Sequence, residues 1–215
     1  MRNVPITPEL VKKVFDDARA KGTWGFWKVP DEVSADGDDI AIPQRTMYFD
    51  YEGEVAIVIG KRGKNIPAWQ IADYVFGVTL VNDWSIRDEV GTPRTLSYNT
   101  EKNFDGSCTL GSCIVVSEVE DCQNIDVETR VNGKIRQQFN TKDMIFSFGE
   151  VLEFLSRDFT FVPGDVISGG TGSGTAADST RKNPDGTRPT DLFLKKGDVV
   201  EVSSSPIGSI TNKVI

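Results

Sequence analysis

The sequence predicts a mainly β (α+β) protein built on a rolled, barrel-like sheet with few helices. Three observations carry this. From Met47 to the C-terminus, short runs rich in Val, Ile, Phe and Thr recur between turns containing Gly, Pro and Asp. The dipeptide Asn132-Gly133 separates two such runs, a specific signal for a tight hairpin. Helical periodicity is clear in only two places. A chain of 215 residues with 38% hydrophobic content suits one domain and one buried core. Residues 1–25 read as an N-terminal helical extension and 26–215 as the main domain.

In chain order, residues 8–21 form the first predicted helix. Thr7 can cap it, Pro8 fits its first position, Gly22 ends it, and Leu10, Val11, Val14, Phe15 and Ala18 recur at helical spacing. Residues 22–44 are rich in Gly, Pro and Asp and read as loop. Strands are expected at 48–60, 75–82, 113–117, 125–131, 135–139, 166–168, 199–203 and 209–214. Pro163-Gly164-Asp165 and Lys196-Gly197-Asp198 mark turns into the later strands. The second helix spans about 144–157, with Met144, Phe148, Val151, Leu152 and Leu155 on one face. Residues 169–191 lack periodicity, and so long a loop in a compact domain is usually functional or mobile. Trp24, Phe26 and Trp27 read as core or dimer packing rather than as an aromatic lid.

Composition narrows the function. A formal net charge of −8 argues against binding nucleic acid through its phosphates. No apolar run approaches the ~20 residues that span a bilayer, and residues 1–20 lack the apolar stretch of a secretory signal. Three cysteines, Cys108, Cys113 and Cys122, cannot all pair within one chain, which suggests free structural thiols in a reducing, cytoplasmic setting. The chain has no histidine. That removes Ser-His-Asp and Cys-His nucleophile systems and the H-E-x-x-H zinc site together. A metal must be held by oxygen or thiolate, and a general base must be a carboxylate, Lys, Tyr, Cys or a metal-bound water.

The oxygen donors concentrate in Asp50-Tyr51-Glu52-Gly53-Glu54. Side chains alternate along a strand, so Glu52 and Glu54 share one face while Val55, Ile57 and Ile59 share the other. The residues after Glu54 are apolar on both faces, which predicts a strand buried on both sides. Two carboxylates abutting such a strand repel each other and lose hydration, and a hard divalent cation between them removes both penalties. The competing reading is a polar strand end in solvent. Asp83 closes the run Phe76 to Asn82, where it is either a third ligand or a helix N-cap. Arg87, four residues on, can offer a planar fork to a carboxylate.

Taken with Asn82-Asp83-Trp84-Ser85-Ile86-Arg87-Asp88, Lys102-Asn103-Phe104-Asp105, Val131-Asn132-Gly133, Pro163-Gly164-Asp165-Val166-Ile167, Gly170-Thr171-Gly172 and the closing Gly197-Asp198-Val199 and Ile207-Gly208-Ser209 segments, this string resembles the fumarylacetoacetate hydrolase family, over about residues 26–215. The resemblance implies a rolled β fold, a homodimer, and Mg²⁺ or Mn²⁺ held by Glu52, Glu54 and Asp83. It further implies that the substrate is a small oxo acid whose enolate the metal stabilises. Lys102 matches the family's active-site lysine, Arg87 and Thr171 match residues that bind substrate oxygens, and Lys28 resembles an upstream lysine near the site. Many members carry a His-Glu pair on a short helix before the acidic strand, and this chain has no histidine to supply it. Gly170-Thr171-Gly172 resembles the sugar-acid dehydratase branch.

The expected activity is therefore a lyase-type reaction on a 2-oxo acid: dehydration, decarboxylation or tautomerisation, with Lys102 carrying protons. For Lys102 to act as a base its pKa must fall, which a nearby metal and Arg87 would promote. The alternative is an acylpyruvate or β-diketone hydrolase that activates water with the help of a carboxylate, Glu32 first. A third class is a catalytically silent oxo-acid-binding relative.

Overall fold

A computed structural model describes residues 7–29, 32–89, 98–112, 114–116 and 121–215. The elements run α1 (Pro8–Lys21), β1 (Asp39–Ile40), β2 (Thr46–Asp50), β3 (Gly53–Ile59), a 3-10 turn (Ala68–Asp73), β4 (Val75–Asp83), β5 (Ser85–Glu89), α2 (Tyr98–Glu101), β6 (Cys108–Leu110), β7 (Asp126–Val131), β8 (Lys134–Asn140), a 3-10 turn (Thr141–Asp143), α3 (Phe148–Ser156), β9 (Val166–Ser168), α4 (Ala176–Ser179), β10 (Val199–Ser204) and β11 (Gly208–Val214). The fold is mostly β with few helices, as the strand and turn signals predict.

Two sheets sandwich the main core. One has the order β6-β4-β3-β9 and the other β1-β11-β10-β7-β8. Val55, Ile57 and Ile59 of β3, Val78 and Leu80 of β4 and Ile167 of β9 meet Val127 of β7, Val202 of β10, Ile210 of β11 and the buried Phe148 and Leu152 of α3. The other face of β3 is also covered: every residue of the strand is buried, and Ala56 packs with Val81 and Cys108. The expectation of a strand buried on both sides holds.

The predicted strand over 48–60 is two strands. It breaks at Tyr51-Glu52, where the chain leaves the β2–β5 ribbon for the four-stranded sheet. The return path breaks at the matching place, Trp84, between β4 and β5. Trp84 is fully buried, stacks on Phe49 with centroids 5.7 Å apart, and donates its indole N–H to Thr109 Oγ1 at 2.8 Å. A large aromatic pinned at a corner turns the sheet. Glu52 and Asp83 thus sit at the rim where the two sheets part.

Local signals behave as read. Thr7 caps α1, Pro8 opens it, and Gly22 ends it at φ 84°. Asn132 and Gly133 both take positive φ, 50° and 76°, as a two-residue hairpin between β7 and β8 requires. Ser147 and Glu150 form a reciprocal capping box that starts α3 four residues later than the predicted 144. Residues 113 and 117 lie outside the described residues, and between them Val115 pairs with Val78 as an isolated bridge. Trp24 and Trp27 are not core residues, being 65% and 52% exposed.

Candidate metal site

Strand register assembles the site. Glu54 pairs with Val81, Ala56 with Ser168, and Asp83 with Cys108. Directly paired residues share a face, and so do residues two apart. Glu54, Asp83, Ser168 and Cys108 are therefore on one face of the sheet. Glu52 joins them from the break, its carbonyl accepting the Asp83 N–H at 2.9 Å and its own N–H donated to Asn82 Oδ1 at 3.0 Å. The β2–β5 ribbon adds a second wall, because Asp50 pairs with Ser85 and Tyr48 with Arg87, which sets Asp50, Ser85 and Arg87 on its inner face.

One carboxylate oxygen from each of Glu52, Glu54 and Asp83 lies within 4.8 Å of the others, and Glu54 and Asp83 are buried. Asp83 ends a strand rather than capping a helix. Lys102, almost fully buried, donates to Glu52 Oε2 at 2.6 Å, Asp83 Oδ2 at 2.9 Å and Ser85 Oγ at 2.6 Å. Lys28 reaches Asp83 Oδ1 at 2.5 Å and the Lys102 carbonyl. Arg87 bonds through Nε to Asp50 Oδ2 at 3.1 Å and through Nη2 to Glu52 Oε1. Ser168 donates to Glu54 Oε2.

These contacts divide the carboxylates. Burial, with Asp83 and Glu52 beside it, pushes the Glu54 carboxyl up to about 8. Burial acts on Glu52 as well, but the Lys102 and Arg87 charges outweigh it and hold that carboxyl below its ordinary value. Burial disfavours the Lys102 ammonium, yet Glu52 and Asp83 more than offset this and raise its pKa. Among the chain's own groups alone, the two carboxylates at its Nζ outweigh Arg87, which acts in the lowering direction as expected.

A divalent cation fits this donor set. The cluster offers hard oxygen atoms, and Glu54 is a carboxylate that burial keeps from ionising unless a cation compensates it.

The other predicted residues fall at different distances from the cluster. Thr171 donates to the Gly53 carbonyl at 2.9 Å and accepts from Gln137 at 2.8 Å, so it borders the acidic strand. Glu32 is exposed, and among the described residues its carboxylate bonds no member of the cluster; only its backbone carbonyl is used, by the Gly106 N–H at 3.3 Å. Cys108 and Cys122 are free thiols whose pKa values burial raises to about 12 and about 11, as inert structural thiols should show. Cys113 lies outside the described residues.

Sequence reasoning missed the supporting residues. Asp50 is fully buried, accepts from the amides of Ala176 and Ala177 at 2.9 and 3.0 Å, and ties the 169–191 loop to Arg87. Buried Gln137 accepts the Gly53 N–H at 3.1 Å and donates to Thr171 and to the Gly172 carbonyl, bracing the backbone between the two glutamates. Gly53 itself admits no side chain, since a Cβ there would lie 2.1 Å from Thr129 Oγ1.

Comparison with known proteins finds relatives of similar sequence and fold. The chain is 37% identical over 191 residues to oxaloacetate tautomerase YisK of Bacillus subtilis, an alignment covering 88% of this chain and 60% of that one. It is 36% identical to human mitochondrial oxaloacetate tautomerase FAHD2B, covering 88% and 58%. It spans about 60% of the length of these curated relatives. A 5-carboxymethyl-2-hydroxymuconate delta-isomerase from Mycobacterium smegmatis superposes with a TM-score of 0.73 at 30% identity, over 88% of this chain and 68% of the other. The fumarylacetoacetate hydrolase C-terminal model matches residues 6–215, and with a match of that extent the chain belongs to the fumarylacetoacetate hydrolase family.

Proposed function

We propose that the protein is an Mg²⁺- or Mn²⁺-dependent enzyme that interconverts the keto and enol forms of a small 2-oxo dicarboxylic acid, with oxaloacetate the first substrate to test. The observation that carries this is the 4.8 Å cluster of Glu52, Glu54 and Asp83 with the Lys102 ammonium bonded to two of its members. The tautomerases among the relatives support it, as does the lack of any histidine to activate water for C–C bond hydrolysis. Tautomerisation is one of the three reactions the sequence suggests, and it asks the least of the chain: one proton leaves carbon and one is delivered to oxygen.

Held by Glu52, Glu54 and Asp83, a divalent cation would supply positive charge where a 2-oxo acid develops negative charge. The chain's own residues do the rest. Lys102 holds its proton at Nζ and can donate it to a developing enol oxygen. Arg87, braced by Asp50, orients Glu52 through Nε and Nη2, the only side-chain donors it uses among the described residues, and is proposed to meet a substrate carboxylate. Lys28, bonded to Asp83, and Thr171, bonded to the Gly53 carbonyl between the two glutamates, are proposed to bind substrate oxygens. Glu32, exposed on the neighbouring loop, is the proposed carboxylate partner in proton transfer. We also propose a homodimer in a reducing cytoplasm. The support is the free thiols and the exposed apolar surface of Trp24, Trp27 and Val29, which are 65%, 52% and 70% exposed. No helix among the described residues is long and apolar enough to cross a membrane.

The test follows decay of the enol absorbance of oxaloacetate with Mn²⁺ present, beside Glu54→Gln. Faster decay only with the unaltered protein supports the proposal. Release of pyruvate would instead assign decarboxylation, cleavage of an acylpyruvate would assign hydrolysis, and no turnover of any 2-oxo acid would leave a silent binder.

A further inference from the structure

Segment 23–29 belongs to no strand or helix, yet it crosses the acidic corner in a defined way. Phe26 places its ring centroid 5.7 Å from Lys102 Nζ. Lys28 reaches Asp83 and the Lys102 carbonyl. Trp27, between them, turns outward and packs edge-on against Phe159 with centroids 4.7 Å apart. Alternation of this kind is strand-like, although among the described residues no neighbouring strand supplies the ladder.

A side chain supplies it. Asn103 Oδ1 accepts the Val29 N–H at 2.7 Å, and Asn103 Nδ2 donates to the Trp27 carbonyl at 3.1 Å. One carboxamide thus bonds the two backbone groups that flank Lys28, as a paired strand residue would. Asn103 also follows Lys102 directly, so the clamp and the group it serves share a peptide unit.

We propose that Asn103 is a positioning residue that clamps segment 26–29 across the site, so that Phe26 and Lys28 form its outer wall above Lys102. The inference rests on the proposed oxo-acid reading for its chemistry: an ammonium and an aromatic ring facing a buried lysine suit a small anionic substrate. The clamp itself is independent of that reading. Asn103 acts through Lys28 and Phe26 and need not touch substrate.

Two measurements on the full chain decide it. The first is amide exchange at Val29, which needs neither metal nor substrate. Asn103→Ala should speed it by about tenfold, the loss of one hydrogen bond, and Trp27→Ala, which loosens the segment from its other side, should speed the same amide. The second is a double-mutant cycle on Mn²⁺ affinity. Lys28→Met removes an ammonium from Asp83 and should tighten Mn²⁺. Asn103→Ala should act in the same direction but more weakly, and should add nothing once Lys28 is Met. An unchanged Val29 amide, or an Asn103→Ala effect on Mn²⁺ that survives in full beside Lys28→Met, would overturn the proposal. Failure to turn over any 2-oxo acid would remove the proposed function and leave both readouts intact.

Discussion

Glu52, Glu54 and Asp83 at the corner, and Asp126, Glu128 and Asp143 along a cleft beside β7 and β8, are both groups of three acids. Water separates their behaviour. In the cleft, Asp126 and Asp143 are exposed, and the carboxylates that make contacts meet ordinary partners: Asn140 for Asp126 at 2.8 Å, Arg130 and Gln138 for Glu128 at 2.6 and 2.9 Å. Each is satisfied where it stands. At the corner, three carboxyl groups crowd within 4.8 Å of one another, Glu54 and Asp83 buried, and three cations are drawn against Glu52 and Asp83. An acidic count does not make a site; desolvated repulsion that a cation can relieve does.

Removing a cation from the corner should have the largest effect. Lys102→Met leaves Glu52 and Asp83 without their shared ammonium, which should cost about 3–5 kcal/mol of stability without metal and abolish turnover. Mn²⁺ should restore part of the melting temperature. If Lys102→Met kept its turnover, another group would be moving the proton.

Next is Glu54→Gln. The amide keeps the shape and drops the charged ligand, so Mn²⁺ affinity by calorimetry should fall by more than about 100-fold, past the range seen for outer-shell partners. Metal-free stability should hold or rise, because a neutral amide is cheaper to bury than a carboxylate crowded by two others. Undiminished affinity would return the corner to the status of the cleft. Gly53→Ala should cost about 1–3 kcal/mol as an overpacked position, read by denaturant unfolding, since its Cβ would meet Thr129 Oγ1. In the cleft, Asp126→Asn and Glu128→Gln should change neither Mn²⁺ affinity nor stability beyond about 0.5 kcal/mol. A loss of affinity there would erase the distinction between the two clusters.

The corner was partly legible in the sequence for the same physical reason. Glu52 and Glu54 abut a strand apolar on both faces, and that conflict can be read from period-two alternation alone. The break at Tyr51-Glu52 and the strand Ser85–Glu89 were not legible. Ile86 is the only aliphatic residue among Ser-Ile-Arg-Asp-Glu, and the ribbon exists because buried Trp84 turns the chain. Gln137 carried no signal either, and Asn103 none beyond its place in the Lys102-Asn103-Phe104-Asp105 string. Each is a polar residue whose value lies in which distant backbone groups the fold brings to it. Trp24 and Trp27 read as core or dimer packing, and their exposure in the single chain removes the core half of that reading.

The smallest expected effect contrasts a surface carboxylate with Glu54. Glu150, at the start of α3, takes its bond from Arg19 of α1, and that contact, with the Ser147 amide and hydroxyl, holds its carboxyl down to about 2. Both side chains are more than a third exposed, at 39% and 36%, so solvent screening keeps the pair to less than about 1 kcal/mol. The sign is that of a depressed acid. The contribution is complete above the ordinary carboxylate range and disappears as pH falls toward 2. Arg19→Ala should therefore lower the melting temperature by a small, constant amount from pH 8 to 5, and the gap to the unaltered protein should narrow below about pH 4. Part of the gap should persist at low pH, because Arg19 also bonds the Ile145 carbonyl and lies 4.8 Å from the Phe146 ring. A gap that widened on acidification would mean that Glu150, like Glu54, is dominated by burial and not by its partner.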